Sequence, residues 1–322
     1  MAKSNSVLIY ALDCQGGAKK VSEDEFSQKN IKENSLYWLH MSLDKVETFF
    51  KNYQLADEFV QQVLSAKETR PRVITYNNTL LATIRAINLN KSSQAEDMIS
   101  LRIFASTNLI ITVQRRALTL ADEMAKSLEE KAGPKSASDF LENLLTIVTD
   151  QLTDLVSKFD NQMDKVEKML SSESQTATRY QLSQIRKKVI LLRRYLIPQR
   201  DAISRIYADK LSWIDAIEGI YFREISDANT RLLENLDTVR ERSIVLHEEL
   251  FSISQEKMNQ KMYMLAIVAV IFIPLSFFTG LLGINVGGIP GAEYKHGFLV
   301  VCLILFVVLI LQVIYLWRKR WI

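Results

Sequence analysis

The sequence predicts an α-helical membrane protein with two C-terminal transmembrane helices and a large α/β domain ahead of them. Three observations carry this. Two stretches near the C-terminus are long and free of formal charge, and the first 115 residues break into short, strand-like segments. Between these regions, residues 221–283 contain no proline except Pro274 and no glycine before Gly280. The chain has 322 residues, a net charge of +3 and a mean hydropathy of +0.01. That mean conceals two unlike pieces. Residues 262–322 hold Lys295, Arg318, Lys319 and Arg320 against Glu293, which leaves 36 basic and 36 acidic residues before them. A neutral, charge-rich body is joined to an apolar tail, and no basic surface for nucleic acid is expected.

In chain order, Val7–Leu12, Leu36–Met41, Arg72–Tyr76, Leu80–Asn88, Ile99–Ala105 and Leu109–Gln114 are short and rich in β-branched and aromatic residues, so they read as strands. Asn77-Asn78 marks a hairpin turn, and Asn108 marks another. Leu43–Tyr53 and Ala56–Ala66 read as helices between strands. From Leu118 the pattern becomes helical. Leu118–Lys131 stops at Gly133-Pro134, and Ser138–Leu170 and Arg179–Lys210 form a long antiparallel pair joined by the polar residues 171–178, with Pro198 expected to kink the second.

The third long segment is the most informative. As one helix, residues 221–283 would measure roughly 95 Å, far beyond one bilayer. It carries two seams at 4-3 spacing. Leu232, Leu236, Val239, Ser243, Leu246, Leu250 and Ile253 form a mostly apolar seam suited to packing. Glu248, Ser252, Gln255, Asn259, Met262, Ala266, Ala269, Ile273, Ser276, Gly280 and Gly283 form a second, polar at its start and small or weakly polar further on. Two readings of this second seam stand side by side. It is a tight helix-packing face, or it lines a water path enclosed by several parallel copies.

The spans follow. Lys261 and Glu293 bracket 31 uncharged residues, and Gly297–Trp317 adds 21 more, each enough to cross a bilayer. Lys257 and Lys261 before the first span, and Arg318–Arg320 after the second, place both flanks in the cytoplasm. The first apolar run, Val7–Leu12, is too short for a signal-peptide core, so the N-terminal body is expected to stay cytoplasmic. Cys14 and Cys302 are far apart and give no disulfide framework.

Six of the ten glycines fall between Gly280 and Gly297. Gly283-Ile284-Asn285, at the end of a span with Pro274 nine residues earlier, resembles the Gly-Met-Asn signature of the CorA metal-ion transporter superfamily. Gly287-Gly288-Ile289-Pro290-Gly291 resembles its zinc-transporting branch, ZntB. The resemblance covers essentially the whole chain, including Thr69-Arg70-Pro71-Arg72-Val73, Arg193-Arg194-Tyr195, Pro198-Gln199-Arg200-Asp201 and the basic end at Trp321. It implies a funnel-shaped homopentamer in a bacterial-type inner membrane, with both termini cytoplasmic. The long helix would line the pore, and the second span would face lipid. Asn285 would form a ring of neutral amide acceptors that holds a divalent ion through its water shell. Gly280 and Ser276 would be polar or backbone-exposing rings, and Ile273, Leu265 and Met262 constrictions. Asn259 and Glu248 would lie in the cytoplasmic pore. Leu265 stands one residue off the seam read independently.

The sequence departs from the magnesium transporters at Ile284, where they carry Met, and at Gly291, where they carry an acid after the loop proline. These departures count against magnesium more than they establish zinc; the resemblance to the ZntB branch implies zinc as the cargo, with magnesium or cobalt the alternative. No resident cofactor is expected. A dehydrated zinc site needs Cys, His or carboxylate ligands. His40, His247 and His296 show no paired ligand spacing, which leaves Glu293 and His296 as further candidate ion contacts in the loop. There is no phosphate-binding loop, zinc-hydrolase motif or nucleophile elbow, so enzymatic activity and ATP-driven pumping are not expected. The other reading is a membrane-anchored sensor or scaffold whose helices only oligomerise. Proton coupling would need a titrating group outside the spans, which hold none. The expected division is 1–134 for the α/β domain, 135–218 for the long-helix hairpin and 219–261 for the cytoplasmic stalk. Residues 262–283 and 297–317 are the spans, 284–296 the outer loop and 318–322 a basic tail.

Overall fold

The computed structural model describes residues 7–26, 31, 35–67, 69–90, 97–116, 118–169, 175–284, 286–287, 289 and 294–319. The chain divides into two compact units, 1–247 and 248–322.

The first unit holds a seven-stranded sheet built from β1 (Leu8–Leu12), β2 (Ala18–Val21), β3 (Leu36–Ser42), β4 (Arg72–Tyr76), β5 (Thr79–Ala86), β6 (Ile99–Ala105) and β7 (Leu109–Gln114). The spatial order is β2-β1-β3-β7-β6-β5-β4. Only β3 and β7 run parallel, with Leu39 opposite Ile111, and the other neighbours are antiparallel. The β4–β5 hairpin turns where the sequence placed it. Asn77 and Asn78 both adopt positive φ (48° and 59°), the left-handed pair that a two-residue hairpin requires. The strand that sequence reading missed, β2, lies at the edge and carries Lys19 and Lys20; such charges guard an open edge and weaken the strand signal.

Alternation along the strands buries both faces. One face presents Ile9, Leu39, Met41, Phe104, Ile111 and Val113 to α1 (Val46–Tyr53) and α2 (Glu58–Ser65), which contribute Phe49, Phe50, Val60 and Leu64. A single 3-10 turn, Leu43–Lys45, precedes α1, so the helix expected from Leu43 starts three residues later. The Asp57 side chain caps α2 by accepting the Val60 N–H at 3.0 Å. On the other face Trp38 packs 5.2 Å from Phe140 at the start of α4 (Ala137–Met169). Leu118, just ahead of α3 (Thr119–Glu129), and Leu120 and Ala121 within it close over His40 and Thr112.

Two long helices complete the first unit with α4. They are α5 (Gln175–Ala208) and the N-terminal part of α6 (Ala216–Leu282). The start of α6 is fixed by reciprocal capping. Glu218 N–H donates to Asp215 Oδ1 at 2.7 Å, and Asp215 N–H donates to Glu218 Oε2 at 2.8 Å. The β4–β5 hairpin tip clamps the preceding loop. Asn78 Oδ1 accepts the Ser212 N–H at 2.9 Å, and Trp213 Nε1 donates to the Asn78 carbonyl at 2.9 Å. The apolar seam read from the sequence is the buried face of α6, with Leu232, Leu236, Val239, Ser243 and Leu246 all 5% exposed or less.

One polar device joins α4 to α6. Arg242 places one guanidinium nitrogen 2.6 Å from Asp160, and its other terminal nitrogen 2.6 Å from Asp164 and 2.9 Å from Glu167. These carboxylates hold the guanidinium protonated well above its ordinary range, with Glu167 and Asp164 the largest causes. Arg242→Met would leave three like charges facing one another. Because the carboxylates are 40–57% exposed, the expected loss is about 1–2 kcal/mol, read by chemical denaturation.

In the second unit α6 runs unbroken to Leu282, and α7 spans Gly297–Arg318. Both are long and apolar enough to cross a membrane. The least exposed residues of α7 (Val301, Leu305, Val308, Leu309, Gln312 and Leu316) recur three or four apart and mark one stripe. Most of the remaining surface of both helices is exposed in a single chain.

Candidate functional site: the polar seam of α6

The seam from Glu248 to Gly280 lies in the second unit and on one helix, with Gly283 directly beyond its end, so regular α-helical geometry aligns it. An ideal straight helix drifts by about 20° per heptad, or about 100° over the five heptads from Glu248 to Gly283. The seam therefore keeps to one axis only if α6 winds left-handedly around neighbours. Among the described residues of one chain it is largely uncovered. Met262 is 62% exposed and Ile273 66% exposed. Glu248, Ser252, Gln255, Asn259, Ala266, Ser276 and Gly280 are also exposed, and Ala269 is half-buried. Leu265, one position off the seam, is 71% exposed.

The seam is distinct from the rest of the span in chemistry as well as position. Outside it, residues 262–282 are mostly Ile, Val, Leu and Phe, which lipid accepts directly, with Tyr263, Met264, Pro274 and Thr279 the exceptions. On it, the residues are Ala, Ser and Gly, with Ile273 the large exception beyond Met262. A Cβ added at Gly280 would meet no atom within 4 Å. Gly280→Ala should therefore raise helix propensity without a clash inside one chain, seen as an unchanged or higher melting temperature of the chain.

The far end of α6 is a compact stop. The Gly283 N–H donates to the carbonyls of Thr279 (2.9 Å) and Gly280 (3.2 Å), and Thr279 Oγ1 donates to the Ser276 carbonyl at 3.1 Å. A Cβ at Gly283 would come within 3.0 Å of the Thr279 carbonyl oxygen, which is why glycine fits there. The Val286 N–H then closes a tight turn on the Ile284 carbonyl at 2.9 Å. Gly283 and Ile284 of the signature thus stand directly at the end of the seam. Asn285 and Glu293 lie outside the described residues. His296 immediately precedes α7, and its ring makes an edge-on contact with Tyr294 at 6.0 Å. Among the described residues no group of three or more His, Cys, Asp or Glu side chains is placed to hold a metal ion. Neutral amides, hydroxyls and backbone suit a hydrated cation and would not strip its water shell.

The other two histidines divide as their surroundings dictate. His247 is exposed, whereas His40 is 5% exposed and hydrogen-bonded through Nδ1 to Thr112 Oγ1 at 2.8 Å. Burial lowers its pKa to about 4, so it is a neutral core residue of the sheet. Sequence reading passed over Arg85 and Arg242, which organise the first unit. The acidic spacing Asp160, Asp164, Glu167 on one helix face was an available signal for Arg242.

Residues 33–320 match the family described as CorA-like Mg2+ transporter protein. The chain is 36% identical over 316 residues to the divalent cation transporter CmaX of Pseudomonas aeruginosa, covering 97% of this chain and 95% of that protein. It is 33% identical over 319 residues to the zinc transport protein ZntB of Pectobacterium carotovorum, covering 98% and 95%. Its fold matches the full-length CmaX structure with a TM-score of 0.83 at 35% identity, over 98% of each chain.

Proposed function

The chain belongs to the family of CorA-like Mg2+ transporters, and from that premise we propose that it conducts divalent metal cations across a membrane. The path is lined by α6 of several parallel copies. The observation that carries this reading is the continuous polar-to-small seam of α6, exposed in the single chain and ending at Gly283-Ile284-Asn285. One chain with two spans cannot enclose water, so closed rotational symmetry is required, and every seam residue becomes a ring. We take the assembly to be a homopentamer, with α7 facing lipid and both termini in the cytoplasm. The basic residues at the inner ends of both spans support that orientation.

Ser276, Gly280 and the Asn285 amide offer neutral acceptors to a hydrated ion, while Ile273 and Met262 narrow the path. Asn259, Gln255, Ser252 and Glu248 continue it on the cytoplasmic side. Glu248 is the one carboxylate on the seam, so the field along the path is weak and release is favoured over tight binding.

Zinc is the cargo we favour. The sequence similarity to ZntB supports it, as do the Gly287–Gly291 loop and the glycine, in place of an acid, directly after Pro290. The test is fluorescence-detected uptake into proteoliposomes of zinc, magnesium, cobalt, nickel and cadmium in one preparation, with and without a pH gradient. We expect zinc to move fastest. Magnesium outrunning zinc would overturn the cargo, acceleration by the gradient would establish proton coupling, and no flux of any ion would favour the scaffold reading.

A further inference from the structure

Two stretches that carry the family resemblance take no part in the pore. Residues 69–73 and 193–201 converge instead on Arg85 of β5. Its Nε donates to the Thr69 carbonyl at 3.0 Å, Nη2 to Thr69 Oγ1 at 2.5 Å and Nη1 to the Met98 carbonyl at 2.8 Å. Its backbone N–H donates to Gln199 Oε1 at 2.7 Å, and its guanidinium lies 4.4 Å from the centre of the Tyr195 ring. Every one of these partners is neutral. Arg85 is therefore oriented by five contacts, none of them to a carboxylate.

A cavity of about 430 Å³ opens in front of it, lined by Thr69, Arg85, Ser100 and Arg115 and by the pair Asp97–Arg116. The sheet register explains the gathering. Arg85 is paired with Ser100, and Arg102 lies two residues further along β6 on the same face, opposite Thr83. Arg115 is the first residue beyond β7, which continues the β6–β7 register to the same end of the sheet. Arg102 is 1% exposed. Its Nη2 donates to the carbonyl of Ala66, the C-cap of α2, at 2.6 Å, while Nε and Nη1 have no partner. Among the described residues the acid lining the cavity is Asp97. It is committed to Arg116 at 2.9 Å, with both side chains more than 60% exposed. Among the described residues three guanidinium groups thus line the cavity against one carboxylate, and a fourth, Arg102, is buried near Arg85 and Arg115 with unused donors. Burial, then Arg85 and Arg115, lower the pKa of Arg102, which marks an environment short of negative charge.

We propose that this cavity binds a small phosphate-bearing anion, with Arg85 and Arg115 as its cationic wall, Ser100 as a hydroxyl donor and Arg102 as the buried charge it neutralises. Tetrahedral oxyanions match guanidinium donors in geometry and charge, and the volume suits a diphosphate-sized ligand. Through Tyr195 and Gln199 the bound anion would be tied to α5. The site is independent of the pore, so its test does not depend on transport.

The experiment titrates the full-length, detergent-solubilised protein with inorganic pyrophosphate, free of metal and with ionic strength held constant by chloride. Calorimetry and thermal unfolding are the readouts. Wild type should show saturable binding and a higher melting temperature. Arg115→Ala, at an exposed position, should fold normally and bind at least about tenfold more weakly. Arg102→Met should melt at the same or a higher temperature without ligand, since it removes an uncompensated buried charge. It should also lose the pyrophosphate-induced rise. No saturable binding at millimolar pyrophosphate would overturn the site, as would binding unaltered in Arg115→Ala. If Arg102→Met does not fold, Arg115→Ala decides the question.

Discussion

Proteoliposomes carrying Asn285→Ala together with Ser276→Leu should pass zinc at least about a hundredfold more slowly than wild type, equivalent to about 2.7 kcal/mol of lost stabilisation along the path. The double variant acts in two ways. Asn285→Ala removes a ring of amide acceptors at the proposed outer mouth, so an arriving ion has no fixed oxygens to orient its water shell. Ser276→Leu places branched apolar groups around the path two turns below, where dewetting closes a narrow pore. Because Ser276 is exposed in the single chain, the substitution breaks no contact within it. The melting temperature should therefore stay close to wild type while flux falls. A loss of flux accompanied by unfolding would not count as support, and undiminished flux would remove these residues from the path.

Acidification should weaken the first unit through His40. The ring is 5% exposed, Trp38 Nε1 already donates to Thr112 Oγ1 at 2.9 Å, and His40 Nε2 has no partner. A second ring proton would therefore create a charge among Leu101, Leu118, Leu120 and Leu144. The folded pKa is lowered to about 4 from an ordinary 6.5, with burial as the cause. The sign follows directly. Below pH 6.5 the unfolded chain takes up a proton that the folded chain refuses, so stability is present above 6.5 and is lost as pH falls toward 4. The contribution is about 3 kcal/mol over that window. Carboxylates such as Asp13, whose pKa is lowered by the N–H groups of Gln15 and Gly17, titrate in the same direction, so the control is a difference. Measured by denaturation, the gap between wild type and His40→Gln should shrink by about 3 kcal/mol on moving from pH 6.5 to 4. A constant gap would mean that His40 is not buried as a neutral ring.

Much of this architecture is legible in the sequence because local chemistry and tertiary context agree. Asn77-Asn78 dictates its turn through backbone sterics, and the Leu232–Leu246 seam is buried because apolar residues at heptad spacing share a face. The strands of the sheet interior are short, apolar and bounded by polar turns, so both their pattern and their burial point the same way. The edge strand β2 escaped notice because its identity comes from pairing with β1, as in Tyr10 opposite Lys20, and not from its own composition. Helix α5 starts at Gln175, four residues before the expected Arg179, because Gln175 and Ala177 are good helix formers within a stretch whose polar character reads as a loop. The seam of α6 could be read because one regular helix carries it. The Arg85 cluster could not, since its members come from β5, β6, the end of β7 and α5, and only the register brings them together.

The proposed pore requires that one face of α6 border water in the assembled protein. Single cysteines along that helix test it, after the exposed free thiols Cys14 and Cys302 are replaced by alanine. A small water-borne thiol reagent should block zinc flux when cysteine replaces Gln255, Asn259, Ala266 or Ser276. It should leave flux unchanged when cysteine replaces Met264, Ile271 or Phe278, which lie on the opposite side of α6. Equal block on both faces, or block on neither, would contradict a pore lined by this seam.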